Sequence, residues 1–188
     1  DPGLVLLSVR IALVASVAAL QLAGLARAST GVLRQVALLT GALALGGGIW
    51  AMHFIGMLAF RLGVPVHYHL GVTLLSMLPA LGASWVALGL LSRRQPAKWH
   101  LLIGGVLVGG GIGAMHYSGM MAMRMDAQLR FDPWWFALSI VLAVALAVLA
   151  LALRFSPRSD RRFGTARAVL AGGVTLGMAI SAMHYTGM

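Results

Sequence analysis

The chain has no cysteine, which excludes disulfides and thiolate metal sites together. Charge is scarce and acid scarcer: 10% of the 188 residues are charged, with 4 Asp and Glu against 14 Lys and Arg. A soluble domain carries about a quarter charged residues. There is no carboxylate pair, nucleophile elbow or phosphate loop, so the common hydrolase and nucleotide-hydrolysing classes have no foothold here. The net charge of +10 would suit a nucleic acid, but the basic residues sit in short stretches between apolar runs. No nucleic-acid partner is expected.

What the chain has is apolar length. It is 60% hydrophobic, with a mean hydropathy of +0.92. Six runs, at about 4–25, 36–60, 70–91, 101–123, 134–153 and 165–188, each reach the roughly 20 residues that cross a bilayer. Backbone groups in lipid must pair within their own segment, so the runs read as helices, and the alternation of a membrane β-barrel is absent. The fold class is an all-α membrane protein of six transmembrane helices. The chain opens on Asp1 without an initiator Met or a basic-then-apolar leader and closes on a motif, as expected of a domain cut from a longer protein.

The segments between spans set the orientation. One side carries Arg27, Arg34, Arg93, Arg94, Lys98, Arg154, Arg158, Arg161, Arg162 and Arg167, the other Arg61, Arg124 and Arg130. Basic residues stay cytoplasmic, which puts the N-terminus outside. Trp134 and Trp135 at the outer end of the fifth span, and Trp99 at the inner end of the fourth, suit interfacial belts.

Three near-copies stand out: "WAMHFIGM" at 50–57, "GAMHYSGM" at 113–120 and "SAMHYTGM" at 181–188. Aligned on Met52, Met115 and Met183, each copy has glycine six residues earlier, isoleucine three earlier and alanine one earlier. Histidine (His53, His116, His184) follows by one, an aromatic (Phe54, Tyr117, Tyr185) by two, glycine by four and methionine (Met57, Met120, Met188) by five. The copies lie 63 and 68 residues apart, one helix hairpin each. The architecture is therefore three repeated hairpins, about 1–63, 64–130 and 131–188, in a single domain.

At about 100° per residue, the repeated glycines, isoleucine, histidine and second methionine share one arc of a helix. Glycine on that stripe lets helices approach closely, so the stripe faces the bundle interior. His53 and His116 each precede an arginine by eight residues, roughly 12 Å of helix, which puts the histidines at one depth near the outer face. Histidine and the methionine one turn later offer imidazole and soft thioether, a donor set that ranks copper first, with zinc or haem iron behind. A lone histidine in a membrane helix can simply hydrogen-bond a neighbour, and methionine often fills packing gaps. Three copies at one depth favour function, since intramembrane ionisable residues are functional by default. The rivals are a copper-dependent membrane oxidoreductase, a metal transporter and a purely structural bundle. Transport ranks last, because the inner halves of the spans offer almost no polar groups.

Three further residues, Arg10, His67 and His69, are accessory candidates besides Tyr117 and Tyr185. Arg10, within the outer half of the first span, can hold an anion near the metal or snorkel outward. His67 and His69 in "VHYH" point the same way if extended, which would suit an outer site for metal uptake, although a solvated loop fits equally. Pro79 within the third span predicts a kink. Asp126 and Asp132 read as solvated charge.

The tripled "MHFIGM", "MHYSGM" and "MHYTGM" resembles the MHYT sensory domain over essentially the whole chain. That resemblance implies a membrane sensor of bacterial signalling proteins, itself not an enzyme, often fused to cytoplasmic diguanylate cyclase or cyclic di-GMP phosphodiesterase domains. It implies that Met52 and His53, Met115 and His116, and Met183 and His184 hold copper and perceive oxygen, carbon monoxide or nitric oxide, with Tyr117 and Tyr185 beside them. The first copy departs from it with Phe54, and a seventh span usual in the family is missing, so nothing here links the site to an output domain. A homodimer is a further expectation.

Overall fold

The computed structural model describes residues 1–60, 65–93, 97–125, 130–155 and 165–188. Arg61, Arg94, Asp126, Arg158, Arg161 and Arg162 lie outside the described residues. The elements are α1 (Pro2–Ala28), α2 (Gly31–Ala59), β1 (His67–Tyr68), α3 (Leu70–Leu75), α4 (Met77–Leu91), α5 (Lys98–Met120), β2 (Met123–Arg124), α6 (Pro133–Phe155) and α7 (Thr165–Thr186). With α3 and α4 counted as one span, six helices among the described residues are long and apolar enough to cross a membrane. The chain is a multi-pass membrane protein.

The helices close into a ring in the order α1, α2, α4, α5, α6, α7 and back to α1, with lighter contacts among α2, α5 and α7 across the middle. Those three motif-bearing helices have 56% of their apolar window buried, against 28–33% for the others. The bundle is thus three hairpins around a pseudo-threefold axis, inner helices on the axis and outer helices towards lipid.

The first repeated glycine explains how the ring shuts. A Cβ on Gly46, Gly109 or Gly177 would stand 2.6–2.9 Å from backbone atoms of Leu81, Val144 and Leu13 respectively. Each pair joins the inner helix of one hairpin to the outer helix of the next, in cyclic order. Lipid is as apolar as a leucine side chain, so helices in a membrane gain mainly from close packing, and glycine permits it. The outer helices answer with small residues at matched positions: Ser8, Ser76 and Ser139, then Ala12, Ala80 and Ala143, then Ala19, Ala87 and Ala150, all buried.

Contacts between helix ends fix which loops share a side. The N-terminal ammonium donates to Ala59 O at 2.7 Å, placing Asp1 beside the end of α2. Arg34 at the start of α2 donates to Ser92 Oγ at 2.9 Å, tying the opposite ends of α2 and α4. Arg154, near the end of α6, is buried. Its guanidinium lies 4.7 Å over the Phe155 ring, and Gly24 and Gly172 leave it room.

The kink expected from Pro79 falls at Ser76, where the third span is interrupted, because a proline has no N–H for the carbonyl four residues back, Leu75, and its ring crowds that carbonyl. Two local features differ from the sequence reading. The fourth span stops at Met120, and Met123–Arg124 leaves it to pair antiparallel with His67–Tyr68, His67 facing Arg124. Asp132 is a helix cap: its Oδ1 accepts from the backbone N–H of Trp134 at 2.8 Å and Trp135 at 3.2 Å, which satisfies orphan donors of α6.

Candidate metal centre

His53 on α2, His116 on α5 and His184 on α7 are fully buried and meet on the axis. Their Nδ1 atoms form a near-equilateral triangle: 3.1 Å between His53 and His116, 3.2 Å between His53 and His184, and 3.2 Å between His184 and His116. The rings stand edge to face, at 80–88°, so three imidazole edges converge on one point. Among the described residues this is the one cluster of His, Cys, Asp or Glu able to hold a metal ion.

The triangle carries an electrostatic demand. A ring nitrogen is either a donor or an acceptor, never both. Three mutual contacts cannot all alternate donor with acceptor, so no choice of tautomers turns them all into hydrogen bonds. Three lone pairs aimed at one cation would satisfy all three Nδ1 atoms at once. The centre of such a triangle lies about 1.8 Å from each Nδ1, close to the roughly 2.0–2.1 Å of a metal–imidazole bond. The spacing of the three Nδ1 atoms is therefore compatible with a single ion that His53, His116 and His184 would hold.

The second repeated glycine serves this site. A Cβ on Gly119 would stand 2.5 Å from His53 Nε2, one on Gly187 3.0 Å from His116 Nε2, and one on Gly56 would overlap His184 Nε2. Each imidazole thus lies over the motif glycine of the following repeat. The three Nε2 atoms are buried with no hydrogen-bond partner; with Nδ1 turned to the shared point, each neutral ring carries its proton on Nε2 as an unpaired buried donor.

The methionines divide. Met52, Met115 and Met183 belong to the main core, each 1% exposed. Met57 and Met120 join Met123 in a second apolar cluster, against Val66, Tyr68 and Met125. Burial raises the Tyr68 phenol above its ordinary value. Met188 is exposed and stands outside both groups.

The accessory residues separate likewise. Tyr117 and Tyr185 pack edge to face on His116 and His184, each at 4.8 Å. Arg10 lies on the exposed face of α1 and is not brought to the triad. His67 and His69 are both exposed. His69 caps α3, its Nδ1 accepting from Val72 N–H at 3.3 Å. Sequence reasoning missed Ser8 and Ser139. Ser8 Oγ lies 2.8 Å from Tyr185 OH and Ser139 Oγ 2.7 Å from Tyr117 OH. Their recurrence with Ser76 on the outer helices was the available signal.

The family model described as "Bacterial signalling protein N terminal repeat", MHYT, matches residues 46–105 and 109–166. The chain is 45% identical over 186 residues to MucR of Pseudomonas aeruginosa, a bifunctional diguanylate cyclase/cyclic di-GMP phosphodiesterase, covering 98% of this chain and 27% of that protein. It is 40% identical over 148 residues to NbdA of the same organism, a cyclic di-GMP phosphodiesterase, covering 79% and 19%. It is 33% identical over 188 residues to the signalling protein YkoW of Bacillus subtilis, covering 98% and 23%. The chain therefore spans about a quarter of the length of these relatives. No solved structure matches it.

Proposed function

The chain belongs to the MHYT family of bacterial signalling proteins, and from that premise we propose that it is a membrane sensor holding one metal ion on His53, His116 and His184. The ion is copper, and the signal a diatomic gas (O2, NO or CO) or redox state. The observation that carries this reading is the triangle of Nδ1 atoms, which an ion satisfies and hydrogen bonding among three imidazoles does not. Copper ranks first because Met57 and Met120 each follow a triad histidine by one helical turn, cluster with Met123, and offer thioether sulfur, a soft donor. The nitrogens are too close together for a porphyrin plane to pass between them, which favours a bare ion over haem.

When bound, copper supplies a redox-active centre with coordination positions beyond the three nitrogens. The protein's part is to fix those nitrogens, to exclude water, and to couple three helices to one point. Met52, Met115 and Met183 and the surrounding core seal the imidazoles from solvent, and a small uncharged gas reaches such a site through the bilayer. A change in ligation bears at once on α2, α5 and α7, whose glycine contacts let them shift against the outer helices.

Arg27, Arg34, Arg93, Lys98, Arg154 and Arg167 lie at the end of the bundle away from the triad, and basic residues favour the cytoplasm. That supports a triad near the outer face of the inner membrane, with the signal read out on the cytoplasmic side. The names of MucR and NbdA point to cyclic di-GMP turnover as the output of the whole protein, through a cytoplasmic domain. Metal analysis of the purified chain tests the site: one copper per chain is expected, lost in His116→Ala, with an anaerobic spectrum that changes on adding nitric oxide. Full retention of copper by His116→Ala would refute a shared site.

A further inference from the structure

Arg10 takes no part in the triad, and it stands where membrane helices rarely keep a charge. Ionisable side chains within a span usually face the bundle interior or pair with one another. Arg10 does neither. It lies eight residues beyond Pro2 in α1, roughly 12 Å of helix, and is exposed on the outside of the bundle. Among the described residues it has no hydrogen bond or ion pair. The repeat shows that the fold does not require it. The matched positions on the other outer helices are Leu78 and Val141, 57% and 62% exposed. Two of three equivalent places therefore hold aliphatic side chains, and the third a guanidinium.

A groove of about 420 Å³ adjoins that charge, lined by Arg10, Ile11, Val14, Ala15 and Ala18 of α1 and Ala44 of α2. Small side chains shape it. Ala15 lies so close to α2 that a Cβ on Gly48 would overlap its own Cβ, while alanine at 18 and 44 leaves the seam between the helices unfilled. From Arg10 to Ala18 the groove runs along eight residues, roughly 12 Å. It descends from the charge towards the middle of α1, and so of the bilayer, whichever surface the N-terminus faces.

A cation at the surface end and an apolar channel below it match the two parts of a lipid. A helical side chain leans towards the N-terminus of its helix, so the long stem of Arg10 carries its guanidinium up to the level of the headgroups. There its fork of donors suits a phosphate. The counter-charge does not come from a second copy of the chain, whose four acids, Asp1, Asp126, Asp132 and Asp160, all fall outside the six spans. We infer that Arg10 and this groove bind one anionic phospholipid of the adjacent leaflet. Its phosphate sits on the guanidinium and an acyl chain lies along Val14, Ala15 and Ala18, against both helices of the first hairpin.

The chain has no cysteine, so a single one introduced at Gln21, exposed and about one turn below the groove, carries a bimane label alone. The labelled chain is placed in nanodiscs of phosphatidylcholine with a minority of phosphatidylglycerol, and the acyl chains of each lipid are brominated in turn. Quenching per brominated lipid should be about fivefold greater for phosphatidylglycerol, the size of one basic residue's attraction to anionic lipid. Labels at Val86 and Leu149, exposed on the other outer helices, should show no preference. Arg10→Leu, which installs the side chain of the matched position 78, should bring the ratio at Gln21 to one, and Arg10→Lys should keep part of it. Ala18→Phe should lower the ratio with the charge intact, because it fills the groove. Inorganic phosphate at constant ionic strength has no chain to lie there and should leave the ratio unchanged. Equal quenching by the two lipids at Gln21, the same preference at Val86 and Leu149, or a preference that survives Arg10→Leu would overturn the inference. So would displacement by inorganic phosphate, which would make the ligand a free anion, or a ratio indifferent to Ala18→Phe.

Discussion

Replacing Gly119 by alanine adds one methyl, 2.5 Å from His53 Nε2 and 2.8 Å from its Cδ2. An imidazole at the end of a free side chain would swing away at little cost. His53 has nowhere to go: its Nδ1 stands 3.1 and 3.2 Å from the other two, and the Phe54 ring packs edge to face at 4.7 Å. The added carbon must therefore open the α2–α5 contact or push His53 out of the triangle. Overpacking of this kind costs about 1–3 kcal/mol, and at about 2–4 °C per kcal/mol for a chain of this size melting should fall by roughly 2–12 °C. Metal binding should fall with it, because the nitrogens no longer share a centre. Gly110 on the same helix is the control. Nothing lies within 4 Å of a Cβ there, and alanine gains up to about 1 kcal/mol of helix propensity over glycine. Thermal melting in detergent and copper stoichiometry, measured on both variants, decide the matter. A Gly119→Ala protein that melts with wild type and keeps its copper would refute the reasoning.

Three further outcomes follow from the same packing. Gly46→Ala should destabilise by about 1–3 kcal/mol against the Leu81 backbone, whereas Gly47→Ala next to it should be neutral or slightly stabilising; equal melting temperatures would refute the cyclic glycine contacts. Met57→Leu with Met120→Leu nearly conserves volume, so stability should change by under about 1.5 kcal/mol per site, while the preference for copper(I) over zinc(II) should drop about tenfold or more, as for lost outer partners of a metal. Competition titration checks it, and an unchanged preference would detach the second methionine cluster from the site. His53→Ala and the double variant His53→Ala/His116→Ala should lose the same metal, since two imidazoles do not make the centre; a stepwise loss would mean independent sites.

The large features were legible because they follow from repetition and transfer energy. Apolar length marked the spans, and three histidines at one offset from glycine and isoleucine implied a shared depth and face. Convergence of His53, His116 and His184 then required only that the stripe face inward. The finer features were not legible, for physical reasons. Ser8, Ser76 and Ser139 recur as strictly as the histidines, but serine and alanine are ordinary in membrane helices and carry no ionisation cost to draw notice. The pairing of His67–Tyr68 with Met123–Arg124 joins four residues across a long sequence separation, beyond any periodicity. The kink of the third span was legible in Pro79, and its place at Ser76 follows from the carbonyl four residues back that a proline leaves unbonded. Composition likewise does not separate Met57 and Met120 from Met52 and Met115, which only the turn of the helix assigns to different clusters.

X-ray absorption at the copper edge of the loaded chain in nanodiscs addresses the triad itself. Three nitrogen scatterers at about 2.0 Å, with the outer-shell pattern of imidazole and one ion per chain, are the expected result. A chain that takes up no stoichiometric metal, or an ion surrounded by sulfur at about 2.3 Å with no imidazole pattern, would contradict it.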